Sequence, residues 1–395
     1  MRSLESQEFD NKRVLIRVDF NVHMKEGKVV DDFRIRAALP TIKHCLDQGA
    51  SIVLMSHLGR PGGVPSDHLS LVPVGEALCD HLEMSIKFSN DCVSDDAIDV
   101  SQDLQAGEVH LLENLRFHIG ETKNDLDFAS RLAQHGTCFI NDAFGTAHRA
   151  HASNVGVTDF LHNGTPGFLM EKEYKFFHSA MIRPKQPFTI VLGGVKIGTK
   201  LPLVTRFIRE ADNVIIGGGM AFMFLKVAGN KIGKSLYDKS LYQKAKQTIE
   251  MLNSLDCEFQ LPSDVVVTKD ISSGQDSTVR KVSEIYDNEI GVDIGPETID
   301  QFCETINRSS TVIWNGPMGI IETAAYSGGT RAVAEAMANI IGKGGLSIVG
   351  GGDSASAVRD LNLWNKMTHI STGGGASLEL LAGKELPAMK ALEMV

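Results

Sequence analysis

SIVLMSHLGR, residues 51–60, decides the fold class: four uninterrupted apolar residues, 52–55, then serine, histidine, glycine and arginine close behind. A strand with one face in water alternates apolar and polar side chains. A continuous apolar run of this length suits a strand buried on both faces. The form recurs in the first half as RVLIRVDFN (13–21), EVHLLENLR (108–116) and TCFINDAFG (137–145). In the second half it recurs as FTIVLGGVK (188–196), NVIIGGGM (213–220), TVIWNGPMG (311–319) and LSIVGGGD (346–353). Each run ends in glycine or a polar residue. Helix-forming segments lie between them, such as GGTRAVAEAMANII over 328–341. Alternation of this kind predicts an α/β chain with parallel sheets.

The 395 residues exceed one ordinary domain, which makes two the expectation. Between the halves, GFLMEKEYKFFHSAMIRPKQP places Met170, Tyr174, Phe177 and Met181 at helical spacing, and Pro184 and Pro187 follow. That predicts a connecting helix and linker, with the boundary near 170–188.

The formal charge is -10, from 39 basic and 49 acidic residues, which argues against a nucleic-acid partner. The six cysteines lie far apart with no CxxC, so they read as small hydrophobes in a reducing compartment. The amino terminus has no apolar stretch and no run approaches about 20 apolar residues. A cytoplasmic protein with no membrane partner is the expectation.

Ligands of open parallel sheets bind beyond the carboxyl ends of the strands. In the first half those ends carry Asp19, Asn21, His57, Arg60 and Arg116, with Arg34 and Arg149 in loops nearby. Converging guanidinium forks suit a small, multiply charged anion, and each charged hydrogen bond contributes roughly 1.5–3 kcal/mol. The plainer reading makes each arginine a separate surface ion pair. NDAFGTAHRAHAS (141–153) adds His148 and His151. With Asp142 they could be pictured as a zinc site, but polar loop histidines fit better, since three firm ligands and an open position are wanted.

The second half carries mostly glycines at its strand ends. In GGVKIGTK (193–200), Lys196 and Lys200 are four apart and would share one helix face, with an anion between them. In GGGD (350–353), backbone amides at a helix start could cradle phosphate. Asp353 either caps that helix or binds Mg²⁺ on a nucleotide. STGGGAS (371–377) is a third candidate anion nest, or a glycine linker. Two motifs mislead. GGGDSA matches a dinucleotide fingerprint, but no convincing ribose-binding acid follows at the usual distance. GNKIGKS (229–235) has one residue too few between its glycines for a P-loop, and it follows a helix.

Taken together, RVDFNV, SHLGRP, ENLRF, NDAFGTAHRAHAS, GFLMEKE, GGGMAF, WNGPMG, GGGDSA and HISTGGGASLELL closely resemble the phosphoglycerate kinase family, in its order, from residue 17 to about 382. The resemblance implies two doubly wound, Rossmann-like domains separated by a cleft and joined by a helix hinge. Residues 1–170 would bind phosphoglycerate, 171–187 would connect, and 188–382 would bind the nucleotide, with a tail over 383–395 returning to the first domain. It implies reversible phosphoryl transfer from 1,3-bisphosphoglycerate to MgADP, giving 3-phosphoglycerate and ATP, in a cytoplasmic monomer. A catalytically weak binding paralogue is the alternative, and a nicotinamide-dependent oxidoreductase a distant third.

Carried over by motif, Asp19, Asn21, Arg34, His57, Leu58, Gly59, Arg60, Arg116, His148 and Arg149 would hold the glycerate phosphate and carboxyl groups. Lys196, Gly217, Gly218, Glu322, Gly350, Gly351, Gly352, Asp353 and Ser354 would hold the nucleotide, Glu322 through its ribose. Gly373, Gly374 and Gly375 would form a phosphate nest, and Asp353 would take Mg²⁺. Arg34, Lys196 and Lys200 would be catalytic. The chain departs from the family at His23, where proline is usual, at GGV (62–64), where a lysine is common, and at Thr199, where aspartate precedes the second lysine.

Overall fold

The computed structural model describes residues 2–394, and all eight apolar runs form strands. By its internal contacts the chain divides into Met1–Lys175 with Gly383–Val395, and Phe176–Ala382. The division falls inside the helix Phe168–Ile182.

The first unit is built on six parallel strands in the order Lys87–Ser89, Val109–Leu112, Ser51–Met55, Arg13–Arg17, Cys138–Asn141, Thr165–Pro166. All five residues of Ser51–Met55 are buried, as the continuous run requires. Helices cover the sheet with apolar stripes. Phe33–Asp47 contributes Ile35, Ala38, Ile42 and Cys45, spaced three or four apart, and Val72–Leu82 contributes Val74 and Leu78. Caps mark where helices begin: Ser94 accepts from the Ala97 amide at 3.2 Å, and Asp125 from the Phe128 amide at 2.9 Å. The strand order turns between Arg13–Arg17 and Cys138–Asn141. The loops after those two strands therefore diverge and leave a crevice at their carboxyl ends. The tail packs here, with Leu386, Ala388 and Met389 buried and the Ala388 amide donating to the Ala147 carbonyl at 3.0 Å.

The second unit has six parallel strands in the order Glu258–Gln260, Asn213–Ile216, Phe188–Leu192, Thr311–Asn315, Leu346–Gly350, His369–Ile370. Numbered within this sheet that order is 3-2-1-4-5-6, the dinucleotide-fold arrangement, with its switch point between Phe188–Leu192 and Thr311–Asn315. The helix Gly328–Ile341 lays Val333, Met337 and Ile340 against Trp314 and Val349. A separate antiparallel sheet, Ser277–Lys281, Asp264–Thr268 and Ile290–Ile294, has its own small core of Phe222, Leu225, Val265 and Val267. Parallel pairing alone, the sequence expectation, misses this sheet.

Among the described residues, no helix is long and apolar enough to cross a membrane. Cys45 and Cys92 are buried and the other four cysteines half-buried, all unpaired.

Candidate active site

At the strand ends of the first unit, the loops after Arg13–Arg17, Ser51–Met55 and Val109–Leu112 are tied together by side chains. Asn21 Oδ1 accepts from the Gly59 amide at 2.9 Å. Asn114 clamps Leu58 within SHLGRP, accepting from its amide at 3.2 Å and donating to its carbonyl at 2.7 Å. Arg34 pairs with Asp19 at 2.8 Å and also donates to the Asn21 carbonyl. Arg116 donates to the Gly59 carbonyl at 2.6 Å.

His57 is where the charge gathers. It is 3% exposed, and burial holds its imidazole well below the usual value of 6.5. The guanidinium groups of Arg17, Arg116, Arg34 and Arg149 then push it further the same way. Of the four arginines read from sequence, Arg34, Arg116 and Arg149 act on this imidazole and the exposed Arg60 does not, while Arg34 is also ion-paired with Asp19. Arg116 is itself 5% exposed, with Nε and one terminal nitrogen buried and without a protein partner among the described residues. Burial and repulsion from Arg149 and Arg17 lower its pKa to about 10. Buried donors without acceptors are rare, and here they suit an anion.

Arg149 sits on the loop after Cys138–Asn141 and donates to His148 Nε2 at 3.2 Å. His151 lies 3.5 Å from the buried carboxylate of Glu121. Asp142 accepts from the Met170 amide at 3.1 Å. Asp142, His148 and His151 are not gathered within metal-ligand distance among the described residues, so the pictured zinc site is absent there. Arg60 is exposed and makes no hydrogen bond or ion pair among the described residues.

In the second unit, GGVK, GGGM and WNGPMG meet at the switch point. A Cβ on Gly193 would collide with the carbonyl oxygens of Pro317 and Gly316. One on Gly218, whose φ is +61°, would meet the Gly194 nitrogen. Glycine is needed at both because backbone passes against backbone. Lys200, 7% exposed, reaches back from the helix Ile197–Phe207 to donate to the Gly193 carbonyl at 2.7 Å and the Asn315 carbonyl at 3.1 Å. Burial lowers its pKa to about 8, with the Asp353 carboxylate acting in the opposite direction. Lys196 is an exposed, non-helical residue before the first turn. The expected shared helix face is therefore wrong: one lysine is buried under the loop and the other lies outside it. Thr199 is exposed and donates to the Lys196 carbonyl at 3.0 Å.

Asp353 lies in the first turn of the helix Gly352–Asp360, yet that helix start has no side-chain cap bond. The capping reading of Asp353 fails. Asp353 instead lines a cavity of about 440 Å³ together with Glu322, Gly194, Gly218 and apolar Phe222 and Ile290. Ser354 accepts from the Gly316 amide at 2.7 Å, tying the stretch that begins with 350–352 to WNGPMG. Gly217 is extended and precedes the helix Gly218–Val227. Gly373, Gly374 and Gly375 lie at the start of the short helix Gly375–Leu381 and do not line that cavity.

Several residues of the site were not singled out from sequence. Arg17 is a charged residue inside an apolar strand, which was a readable signal. Asn315 ends its strand with a buried amide nitrogen that has no partner among the described residues and lies close to 350–351. Glu121, Ser153 and Asn114 bond to the loops that carry these arginines or to their partners, and short polar stretches offered no periodicity that could reveal them.

The comparisons identify the family. The family model described as phosphoglycerate kinase matches residues 4–384. A phosphoglycerate kinase of Dictyoglomus turgidum is 46% identical over 390 residues, covering 99% of this chain and 98% of that one. One from Chlorobium chlorochromatii is 46% identical over 382 residues, covering 96% of each. The solved structure of phosphoglycerate kinase from Coxiella burnetii has a TM-score of 0.87 at 38% identity, covering 100% of this chain and 99% of that one. With identity of this order running the full length of both chains, the chain belongs to the phosphoglycerate kinase family and is a phosphotransferase.

Proposed function

We propose that the strand-end arginines of the first unit bind the glycerate and the switch-point loops of the second bind the nucleotide. The reaction is reversible phosphoryl transfer between 1,3-bisphosphoglycerate and MgADP, giving 3-phosphoglycerate and ATP. The carrying observation is the two buried Arg116 donors that lack a protein acceptor among the described residues, on a guanidinium whose charge, with those of Arg17, Arg34 and Arg149, bears on His57. Arg34, Arg116 and Arg149 would hold the phosphate and carboxyl groups, and Asp19 and Asn21 would orient Arg34 and the SHLGRP loop.

The Gly193, Gly194 and 350–352 backbone, with Lys200, Asn315 and Ser354, would hold the phosphates. Glu322 and the apolar wall of its cavity would take the ribose and base. The donor set fits Mg²⁺: an exposed carboxylate without a cap bond, next to a phosphate cradle, is what that ion takes on a nucleotide. Asp353 would hold it, and the ion supplies charge neutralisation at the phosphate oxygens.

The acceptor oxygen is already anionic, so no general base is needed. The chain's own task is to position the ligands, neutralise the equatorial charge through Lys200 and Arg34, and exclude water from the acyl phosphate. Transfer requires both ligands within reach, so closure on binding belongs to this reading, with hinges at 170–188 and 371–375. Scattering dimensions unchanged by both substrates together would count against that closure. The reading also includes a cytoplasmic monomer, which six unpaired thiols support as to compartment.

The test is ADP release from MgATP with and without 3-phosphoglycerate, beside Arg34→Ala. Release that needs 3-phosphoglycerate and collapses in the variant is expected. Release independent of the glycerate would refute the assignment.

A further inference from the structure

Arg17 ends the central strand of the first sheet and is fully buried. Its Nε donates to Ser153 Oγ at 2.8 Å, and one terminal nitrogen donates to the Val18 carbonyl. The other terminal nitrogen lies 3.1 Å from His57 Nδ1. The direction of each bond is fixed. Ser153 gives its one hydroxyl proton to Glu121 Oε1 at 2.7 Å, which leaves a lone pair for Arg17. A guanidinium has donors only, so His57 Nδ1 must accept.

An imidazole whose Nδ1 accepts carries its proton on Nε2 and is neutral. A protonated ring would set N–H against N–H at this contact. The opposing pull comes from Asp19, whose Oδ1 lies 3.9 Å from Nδ1, beyond hydrogen-bond range. The other charged groups that face the ring, Arg34, Arg116 and Arg149, also disfavour the cation, as does burial. Glu121 carries the compensating charge. It is fully buried, accepts the Ser153 amide and hydroxyl, and faces His151. Burial raises its carboxyl, but His151, Arg17 and Ser153 more than offset this and hold it low.

We infer that Arg17 is a positioning residue for glycerate binding: it fixes His57, through Nδ1, as a neutral ring with its proton on Nε2. Arg17 does not itself touch substrate. His57 is thereby a one-way hydrogen-bond donor toward an anion and is prevented from taking a proton from it. Glu121 and Ser153 hold Arg17 in that orientation. The benefit for substrate rests on the proposed glycerate site, whereas the tautomer itself does not.

The test is ¹⁵N NMR of histidine-labelled free enzyme over pH about 5 to 8.5, spanning the ordinary imidazole range. The His57 signals are assigned by their loss in His57→Gln. Expected is one tautomer, Nε2 protonated and Nδ1 bare, with no titration across the range. An Nδ1–H signal, or a titration midpoint anywhere within that range, overturns the inference. Arg17→Met should restore a titrating His57. It should raise the KM for 3-phosphoglycerate about tenfold while kcat changes less than about threefold, and make that KM pH-dependent. If this variant fails to fold, the wild-type spectrum still decides. Adding 3-phosphoglycerate separates the two claims: an unmoved His57 resonance refutes the glycerate site while leaving the tautomer intact.

Discussion

Replacing Arg116 with methionine keeps an unbranched stem and removes the guanidinium and its charge. Removing a buried, well-paired arginine normally destabilises a protein by about 3–5 kcal/mol, because its partner is left uncompensated. Arg116 has one protein partner, the Gly59 carbonyl, and two buried nitrogens without one among the described residues. A guanidinium held at about 10 instead of 12.5 carries unfavourable charge free energy of about 3 kcal/mol, which solvent reaching the site cuts to about 1–2. Losing the bond to Gly59 opposes this by about 1.5–3 kcal/mol. The two oppose each other, so Arg116→Met should cost the free protein no more than about 2 kcal/mol of stability. Binding should respond differently. Two charged hydrogen bonds to an anion contribute about 3–6 kcal/mol together, which corresponds to about 10²–10⁴ in the KM for 3-phosphoglycerate. Urea unfolding and steady-state kinetics with varied 3-phosphoglycerate measure the two quantities on the same preparation. A stability loss above about 3 kcal/mol with KM within threefold would show that Arg116 is structural and that its donors were never meant for a ligand.

Lys200, lowered to about 8 by burial, loses its charge as pH rises through that value, so MgADP affinity should fall above about pH 8. Calorimetric titration at pH about 7 and 9 checks this, and Lys200→Arg should weaken affinity at both pH values with no fall between them. His110 and His135 share the Ser101 hydroxyl at 2.8 and 2.6 Å, and burial lowers each to about 4. The folded state therefore resists protonation while the unfolded chain binds protons below about 6.5, so stability is full above that pH and is lost as pH falls toward 4. From pH about 7.5 to 5 the loss is about 2 kcal/mol per ring, and His110→Gln with His135→Gln should flatten the pH dependence of the urea midpoint. Thr199→Asp should leave kcat within about threefold, because Thr199 is exposed and bonds Lys196 while Lys200 is buried elsewhere; a larger change in steady-state kcat would show that residue 199 governs the lysines.

The sequence signals that worked were those with one physical cause. The run at 51–60 could be buried on both faces only in a covered parallel sheet, and Gly193 could not carry a side chain where three loops cross. The edge strands Thr165–Pro166 and His369–Ile370 have two residues each, too short for any period, so strand order was not legible. Lys196 and Lys200 show the limit most sharply. Their spacing is helical, but the helix begins at Ile197, after the loop has turned to bring backbone against WNGPMG, and a boundary one residue along separates an exposed lysine from a buried one. Arg17 shows the converse. Its position inside an apolar strand was visible, while its role depended on Glu121 and Ser153, which reach it from 104 and 136 positions away (121 − 17 and 153 − 17). A local pattern reports what the backbone requires nearby. A buried charge is decided by its counter-charge, and no local pattern carries that. Where a strand places a charge in a sheet interior, the compensating group should therefore be sought in the segments that follow the strands' carboxyl ends, as with Glu121 on the helix Ile119–Lys123, because distant parts of the chain converge there.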